Sequence, residues 1–344
     1  MKRITIKEIA KKAGVSVGTV DRVLHNRGEV AEKTKKLVKQ IAKEGNYSTN
    51  VFARNLKLNK IHRFAIILPQ DNEYWKTQRV GIESAAAEYA SLGVQLDFYT
   101  FDRQNQDSFV TQSELALQSA PDAVVMAPLL EKEASVICKQ MDEAKTPYVF
   151  VDSNLESAMP LAFIGQDSIQ SGYLAAKLLN IGHPENCQSL IIKFRDYDSI
   201  NKTIDERIEG FRKYYQEKGL DITQIKEVEI GLDEKALKEW LSARKQKEAL
   251  IFVPNSRSHQ VAKQAASVWS ARSYRLIGYD LVSKNLEGLN DGRIEFIIHQ
   301  NPKTQGALSI QTLYKHLILN TAVSAKQYMP LDILTKENVA FADN

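Results

Sequence analysis

The sequence of 344 residues contains only two cysteines, Cys138 and Cys187, which lie far apart and form no CxxC pair. They therefore suggest neither a disulfide framework nor a cysteine metal site. The longest apolar runs, such as 64–68 and 123–127, have five residues, whereas a membrane-spanning helix needs about 20. Residues 1–8 read MKRITIKE, and the charged residues at 7 and 8 interrupt the sequence before the apolar core of a signal peptide can form. We therefore expect a cytoplasmic chain without a membrane segment.

Motifs for nucleotide binding and hydrolysis are also missing. The chain contains no GxGxxG, GxxxxGK(S/T) or GxSxG segment, and these are the usual signatures of dinucleotide sites, P-loops and serine hydrolases. Its six histidines show neither HExxH nor another paired spacing typical of a metal site. We therefore expect a protein with no cofactor, no metal and no enzyme activity.

Charge is distributed unevenly along the chain. The first 60 residues hold 15 basic and 5 acidic side chains, a net charge of +10, while the remainder holds 31 basic and 37 acidic ones, a net charge of −6. A basic segment attached to a mildly acidic body is typical of a polyanion-binding module joined to a second domain. Because lysine-rich surfaces are common on small helical domains, this interpretation needs support from the residue pattern.

The basic segment has the pattern of two helices joined by a tight turn. Thr5 and Glu8 have the spacing of a capping box, which predicts a helix that ends at Gly14. Ser16 can cap a second helix over residues 17–24. This arrangement is a helix-turn-helix when a third helix supports it.

A third helix is predicted from about 31 to 43, followed by Gly45 as its stop. Because residue 31 is alanine, this helix lacks a capping side chain, at a cost of about 1 kcal/mol. The apolar spacing of the second and third helices places one face of each in a common core. The residues expected in that core are Val20, Val23, Leu24, Leu37, Val38 and Ile41.

Residues 6–24 read IKEIAKKAGVSVGTVDRVL, and a related pattern continues at 33–34, 45–47, 50 and 53–56. This combination resembles the N-terminal signature of LacI-type transcriptional regulators. The agreement extends over about 50 positions with the same spacing, which makes the resemblance specific to that family.

The resemblance implies two DNA-contacting segments. Residues 1–47 would form a helix-turn-helix domain whose second helix lies in the major groove of double-stranded DNA. Residues 48–61 would form a linker with a short helix, too short to persist alone in water, that orders on DNA beside its partner's copy. Leu56 would then wedge between base pairs in the minor groove, or alternatively form an ordinary amphipathic contact.

Arg22 is the best candidate for reading a base, because a guanidinium can bond guanine through two hydrogen bonds worth about 1–3 kcal/mol. The family resemblance also places Val17 and Gly18 against the bases; Val17 can touch a thymine methyl group, and Gly18 allows close backbone approach. Asp21 either pairs locally with Arg22 or a lysine, or accepts a hydrogen bond from a cytosine amino group. The remaining DNA-binding candidates are Thr5, Ser16, Thr19, His25, Thr34 and Tyr47, mainly as phosphate contacts, and Asn50 and Ala53 in the linker.

From residue 63 onward, apolar runs alternate with helical patterns. Such alternation with short loops predicts parallel sheets covered on both faces, and a body of about 280 residues favours two similar lobes over one sheet. The predicted strands are 64–68, 94–101, 123–127, 148–151, 190–194, 249–253, 275–278 and 294–299. The predicted helices are 77–90, 108–119, 131–144, 169–179, 203–217, 234–245, 256–269 and 303–319.

Six further segments are distributed over this body: NEYW at 72–75, VDS at 151–153, RIEGF at 207–211, PN at 254–255, IGYD at 277–280 and HQNP at 299–302. Together they resemble the periplasmic sugar-binding protein fold, especially its ribose- and galactose-binding branch. The implied fold class is an α/β effector region of two doubly wound parallel-sheet lobes, preceded by an all-α helix-turn-helix domain.

The resemblance also implies an effector and dimerisation domain over residues 62–344. The first lobe is expected over about 62–163 and 293–321, and the second over about 164–292 and 322–344. The chain would cross between the lobes near 163–167, 290–296 and 320–328 and leave a cleft between them.

The predicted effector site lies in this cleft, because ligands of open α/β sheets bind beyond the carboxyl ends of the strands. Carboxylates accept hydrogen bonds from hydroxyl groups, a guanidinium donates two, and amides do both. Aromatic side chains add flat faces for a sugar ring. The candidates are Asn72, Tyr74, Trp75, Asp152, Ser153, Arg207, Asn255, Asp280 and Gln300.

These candidates also have ordinary structural interpretations, which the sequence leaves open. Asp152 and Asp280 could cap helices, and Asn255 could form an Asx turn. Arg207 could form a salt bridge between the lobes, and Tyr74 and Trp75 could be simple core residues.

Together the two halves predict a homodimeric transcriptional regulator, with repression the expected mode, that binds a palindromic operator under the control of a small sugar or polyol. A phosphosugar, inositol or nucleobase effector stays open, because Lys193 and Arg195 are expected to lie close to Arg207. A transport binding protein would need an export signal. A sugar-modifying enzyme could use Asp152 and Asp280, but nothing marks one as acid and the other as nucleophile.

Overall fold

The chain divides into two compact units, residues 1–58 and 59–344. The computed structural model describes residues 4–24, 27–45, 47, 60–70, 72–182, 187–194, 202–231, 233–244, 249–270 and 273–342. Four residues predicted to contact DNA lie outside these described residues: His25, Asn50, Ala53 and Leu56.

The N-terminal unit contains the three predicted helices. The first begins with the predicted capping box: the Thr5 hydroxyl accepts a hydrogen bond from the Glu8 backbone N–H at 3.3 Å, and the Glu8 carboxylate accepts one from the Thr5 N–H at 2.8 Å. It ends at Gly14, whose φ of +64° is left-handed backbone that favours glycine. The bounds are α1 Ile6–Ala13, α2 Val17–Leu24 and α3 Glu32–Glu44.

The core of this unit differs from the prediction at one residue of α3. Val38 is fully buried and Ala42, one turn later, is buried as well, while Leu37 is 42% exposed. Leu37 was expected in the core, and this was wrong because the inward line of α3 runs through Val38 and Ala42 at i, i+4 spacing. As predicted, Ala31 provides no side-chain cap for α3.

In its described residues, the larger unit contains two six-stranded sheets of order β11-β5-β4-β3-β1-β2 and β12-β10-β9-β8-β6-β7. The strand pairs are parallel except for β10 and β12, which are antiparallel. The strands are β1 His62–Pro69, β2 Val94–Phe101, β3 Ala123–Met126, β4 Tyr148–Val151, β5 Ala162–Gly165, β6 Gln188–Phe194, β7 Ile225–Ile230, β8 Ala249–Phe252, β9 Tyr274–Tyr279, β10 Phe296–His299, β11 Lys326–Tyr328 and β12 Asp332–Leu334.

Helices alternate with these strands, which confirms the predicted α/β class. Each of the eight helices predicted for this unit is present with bounds within four residues of the predicted ones, and one more helix in the described residues, α11, was not predicted. The helices are α4 Glu73–Tyr89, α5 Gln106–Gln118, α6 Glu131–Ala144, α7 Ser168–Asn180, α8 Lys202–Lys218, α9 Glu234–Ser242, α10 Ser258–Val268, α11 Ser283–Asn290 and α12 Pro302–Leu317.

The second sheet is covered on both faces. Along β6, Leu190 and Ile192 belong to one buried cluster, while Ile191 between them belongs to another. Successive side chains of a strand point to opposite faces, so both faces are packed. This two-sided burial explains why the central strands are continuous apolar runs in the sequence.

We define lobe 1 by the first sheet, with α4, α5, α6 and α12, and lobe 2 by the second sheet, with α7 to α11. The chain passes between them at 165–168, 299–302 and 328–332. The expected boundaries near 293 and 321 are corrected, because β10 pairs with β9 in lobe 2 and β11 pairs with β5 in lobe 1.

The three crossings are joined by one side chain. Gln166 lies in the first crossing, and its amide Nε2 donates to the carbonyl of His299 at 2.9 Å and to that of Pro330 at 2.8 Å. Those carbonyls belong to the second and third crossings. Gln166 is itself buried, so the hinge between the lobes is hydrogen-bonded internally.

Helices α7 and α8 pack closely in lobe 2 because each has a glycine at the contact. A Cβ on Gly172 would lie 1.8 Å from the carbonyl oxygen of Arg207, and a Cβ on Gly210 would lie 1.8 Å from that of Ile169. No larger residue fits without moving the helices apart. This close contact fixes the position of Arg207 on α8.

Candidate functional site

The second helix of the N-terminal unit has the surface expected of a recognition helix. Ser16, Val17, Gly18 and Arg22 are exposed, and the side chain of Val17 is 45% exposed. The hydroxyl of Ser16 accepts a hydrogen bond from the backbone N–H of Thr19 at 3.1 Å and caps the start of the helix. The Nε of Arg22 donates to the carbonyl of Gly18 at 3.3 Å.

Several further residues of this unit predicted to contact DNA also have structural roles. Thr5 forms the capping box of α1, and Tyr47 packs against the core of the unit. Thr19 shares a 2.9 Å hydrogen bond with Ser16. Thr34 and Asp21 are half-buried. The phosphate contacts of this unit remain predictions; they concern Thr5, Ser16, Thr19, Thr34 and Tyr47.

In lobe 1, three predicted effector residues are hydrogen-bonded to one another where β4 ends. The Tyr74 hydroxyl donates to Oδ1 of Asp152 at 2.7 Å, and the Ser153 hydroxyl donates to Oδ2 at 3.0 Å. Tyr74 is buried, and its ring meets that of Trp75 edge to face at 4.9 Å. Burial, together with the charges of Asp152 and Asp280, raises the pKa of Tyr74 well above its usual value, so the hydroxyl stays a donor.

In lobe 2, Arg207 is the centre of a second group. Its Nη1 donates to the carbonyl of Pro254 at 2.9 Å, and its Nη2 donates to Oε1 of Gln300 at 2.6 Å. The guanidinium carbon lies 3.8 Å from the centroid of the Tyr279 ring, a cation–π contact. Its Nε is buried with no partner among the described residues. A buried donor without an acceptor is unusual in a folded protein.

Asp280 completes this group through Gln300, whose Nε2 donates to Oδ1 of Asp280 at 2.9 Å. Burial raises the pKa of Asp280 to about 7, although the charge of Arg207 and the hydrogen bond from Gln300 both act in the opposite direction. The charge of Asp152 raises this pKa further. A carboxylate of lobe 1 therefore acts on the ionisation of a carboxylate of lobe 2.

Both cleft aspartates have left-handed backbone, with φ of +67° for Asp152 and +66° for Asp280. A buried amide holds each one. Gln305 on α12 accepts from the backbone N–H of Asp152 at 3.0 Å, and Asn285 on α11 donates to the carbonyl of Asp280 at 2.9 Å. Neither amide was predicted from the sequence, because neither lies in one of the segments that resemble binding proteins.

A cavity of about 520 Å³ opens between the lobes, a size suited to a small ligand. Its lining includes Asn72 and Glu73 of lobe 1 and Asn255 and His259 of lobe 2. The other predicted effector residues do not line this cavity; they are Tyr74, Trp75, Asp152, Ser153, Arg207, Asp280 and Gln300. Asn72 also caps α4 through a 3.1 Å bond from the N–H of Trp75. Asn255 forms the Asx turn considered for it, since its Oδ1 accepts from the N–H of Arg257 at 3.0 Å.

Of the structural roles considered for the remaining cleft residues, the described residues show core packing of the aromatic rings, but neither helix capping by the aspartates nor an ion pair of Arg207. Asp152 and Asp280 accept from side chains at strand ends and do not cap helices in the described residues. Arg207 forms no ion pair between the lobes there, and its bonds go to neutral oxygens. Tyr74 and Trp75 are each 5% exposed, so they are packed as core residues would be. Of these two rings, Tyr74 adds a polar contact at the site through its hydroxyl.

The predicted effector residues include two carboxylates, three side-chain amides and a guanidinium. The carboxylates and the amides follow the carboxyl ends of strands, and the guanidinium belongs to Arg207 on α8. Such groups accept from and donate to hydroxyl groups with high geometric selectivity. In the described part of the chain, no three His, Cys, Asp or Glu side chains are placed to hold a metal ion. None of the helices described has both the length and the apolar character needed to span a membrane.

Comparison with known families assigns both halves of the chain. The profile for the periplasmic binding protein domain matches residues 64–320, and that for the lacI family of bacterial regulatory proteins matches residues 5–50. A crystal structure attributed to a LacI transcriptional regulator from Bacteroides fragilis is 31% identical, with a TM-score of 0.75 over 83% of this chain and 100% of that chain. The larger unit is thus a periplasmic-binding-protein-like domain. The chain belongs to the LacI family.

Curated relatives agree with this family. The HTH-type transcriptional regulator DegA of Bacillus subtilis is 29% identical over 224 residues, 64% of each chain. The sucrose operon repressor of Klebsiella pneumoniae is 32% identical over 168 residues, 46% of this chain and 47% of that one. The alignments thus span between about half and two thirds of these relatives.

Proposed function

We propose that this chain is a transcriptional repressor that binds operator DNA as a homodimer and responds to a neutral sugar or polyol held between its lobes. The observation that carries the proposal is the pairing of an exposed recognition-type helix with a cleft whose two lobes each contribute an aspartate. DNA-binding relatives with sugar-related names, such as the sucrose operon repressor, support it. A repressor of chromosomal genes acts in the cytoplasm, the location predicted from the sequence.

The chemistry of the cleft favours a hydroxyl-rich ligand. Asp152 and Asp280 are acceptors, Arg207 keeps a buried N–H without a partner among the described residues, and Gln300 provides a neutral amide. A ligand that bonds both aspartates must contact both lobes, so its binding free energy favours the arrangement in which the lobes are close. Ligand and DNA then control one equilibrium from two sites.

The effector is tested by thermal unfolding with a panel of monosaccharides and polyols, since a bound ligand stabilises by RT ln(1 + [L]/Kd). The wild type should be stabilised by at least one neutral sugar, and the Asp280→Ala and Arg207→Ala variants should lose that shift. A sugar whose effect survives both substitutions would show that the cleft assignment is wrong. A response restricted to phosphosugars or nucleobases would change the proposed class of effector and would leave the proposed DNA-binding function unaffected.

DNA binding is tested with a selected library of random duplexes and a gel-shift assay. We expect palindromic sequences whose half-sites lie about one helical turn apart, and a shift that changes when the effector is added. Sedimentation should give a dimer. Enrichment of unrelated, asymmetric sequences would contradict the proposed two-fold mode of binding.

A further inference from the structure

Glu73 of lobe 1 contacts the first residue of α11 in lobe 2. Its carboxylate oxygen Oε2 accepts hydrogen bonds from the backbone N–H of Ser283 at 2.7 Å and from the Ser283 hydroxyl at 2.8 Å. The two residues are 210 positions apart in the sequence. Since Glu73 also lines the cavity between the lobes, this pair bridges the cleft at its edge.

Helix α11 has no side-chain cap of its own at this end. The residue before it, Val282, makes no capping hydrogen bond, and the first N–H groups of a helix have no partner within the helix. The Glu73 carboxylate takes the place of a cap and puts a negative charge at the positive end of the helix. These bonds from Ser283 lower the pKa of Glu73, so the group is ionised at neutral pH.

The helix that Glu73 caps also organises the ligand side of lobe 2. Asn285, two residues after Ser283, is fully buried. Its Nδ2 donates to the carbonyls of Asp280 and Ser256, both at 2.9 Å. Its Oδ1 accepts from the N–H of His259 at 2.9 Å. One turn of α11 therefore joins the bridge between the lobes to the loops that carry Asp280 and Asn255.

We propose that Glu73 and Ser283 form a latch, in which a carboxylate of lobe 1 caps a helix of lobe 2 and thereby holds the lobes together. Opening the cleft would leave the backbone N–H and the hydroxyl of Ser283 without this acceptor. The latch therefore favours the state in which the lobes touch. Glu73 is thus a positioning residue that acts on the ligand side of lobe 2 through α11.

Two further side-chain contacts between described residues bridge the lobes without capping a helix. The hydroxyls of Ser153 and Thr203 lie 3.1 Å apart, and Lys202 pairs with Glu156 at 2.9 Å. The side chain of Glu156 is 80% exposed, and exposed ion pairs contribute little. The latch goes beyond the proposed function, because it concerns the contact between the lobes and applies to any ligand of the cleft.

The test needs neither ligand nor DNA. Spin labels at Leu115→Cys in lobe 1 and Ile222→Cys in lobe 2 would report the distance between the lobes, since both positions are exposed whereas the native Cys138 and Cys187 are buried. Amide exchange of Ser283, followed by NMR, would report the cap directly. We compare Glu73→Ala and Glu73→Gln with the matched control Glu83→Ala, which removes from the same helix a carboxylate that pairs with Arg79.

Glu73→Ala should shift the label distances to longer values and speed the exchange of the Ser283 amide about fivefold, the effect of losing a typical cap. Glu73→Gln, which keeps an uncharged acceptor, should lie between this variant and the wild type, and Glu83→Ala should match the wild type. If Glu73→Ala and Glu83→Ala give the same distances and the same exchange rate, the latch does not exist. Because no sugar is used, that result would leave the proposed function standing.

Discussion

Replacing Asp280 by asparagine tests the electrostatics of the cleft without changing its shape. Asparagine keeps the Oδ1 that accepts from Gln300 at 2.9 Å, but it carries no charge at any pH. Asp280 is 5% exposed, and burial raises its pKa from 3.8 to about 7 against the opposing charge of Arg207. The wild type therefore has a buried group whose ionisation costs folding free energy.

The size and sign of this cost follow from proton linkage. A carboxyl with a raised pKa binds more protons in the folded than in the unfolded protein between about pH 4 and pH 7, so stability falls as the pH rises through that window. A difference of about three pH units corresponds to ~4 kcal/mol as an upper limit. Above pH 7 the group is ionised in both states, and its contribution stops changing.

The assay is urea unfolding of the wild type and Asp280→Asn between pH 4 and pH 8.5, followed by tryptophan fluorescence. The three tryptophans, Trp75, Trp240 and Trp269, all lie in the larger unit, so the signal reports that unit. Asp280→Asn should gain stability relative to the wild type as the pH rises from 4 to 7, with a plateau above. A difference that is constant over this range would refute the reasoning, whatever its size.

Three further substitutions test separate parts of the protein. Leu56→Ala should fold normally and lose most of its operator affinity in a gel shift, whereas unchanged affinity would contradict the minor-groove wedge. Arg22→Ala should lose about 1–3 kcal/mol of operator binding and accept several bases at one position, which a library selection detects; a uniform loss over all sequences would indicate a phosphate contact instead. Gly210→Ala places a Cβ 1.8 Å from the Ile169 carbonyl oxygen, so it should lower the free energy of unfolding by about 1–3 kcal/mol, measured by urea unfolding.

The sequence predicts the elements best where local chemistry decides them. The capping box of Thr5 and Glu8 predicts α1, and the alanine at position 31 predicts the missing cap of α3. Where strands are short or charged, local pattern is too weak. Strand β7 reads IKEVEI, in which three of the six residues are charged, and β11 and β12 have three residues each. None of these three strands was predicted, and β5 with four residues was missed as well.

The site could be predicted residue by residue but not as a network. Asp152, Arg207, Asp280 and Gln300 lie in segments that resemble known binding proteins. The structure places Asp152, Asp280 and Gln300 directly after β4, β9 and β10, and it places Arg207 on α8. Their supporting contacts depend on pairs distant in the sequence: the bond between Gln305 and Asp152 spans 153 positions. No local pattern encodes such a pair, and the same holds for the assignment of β10 to its sheet.

The amide of Gln166, which bonds one carbonyl in each of the two other crossings, limits how the lobes can move. Three connections fastened at one place resist sliding and extension, whereas they allow the lobes to rotate about a line through that place. Displacement then increases with distance from Gln166, so a small angular change at the hinge gives the largest separation at the opposite rim.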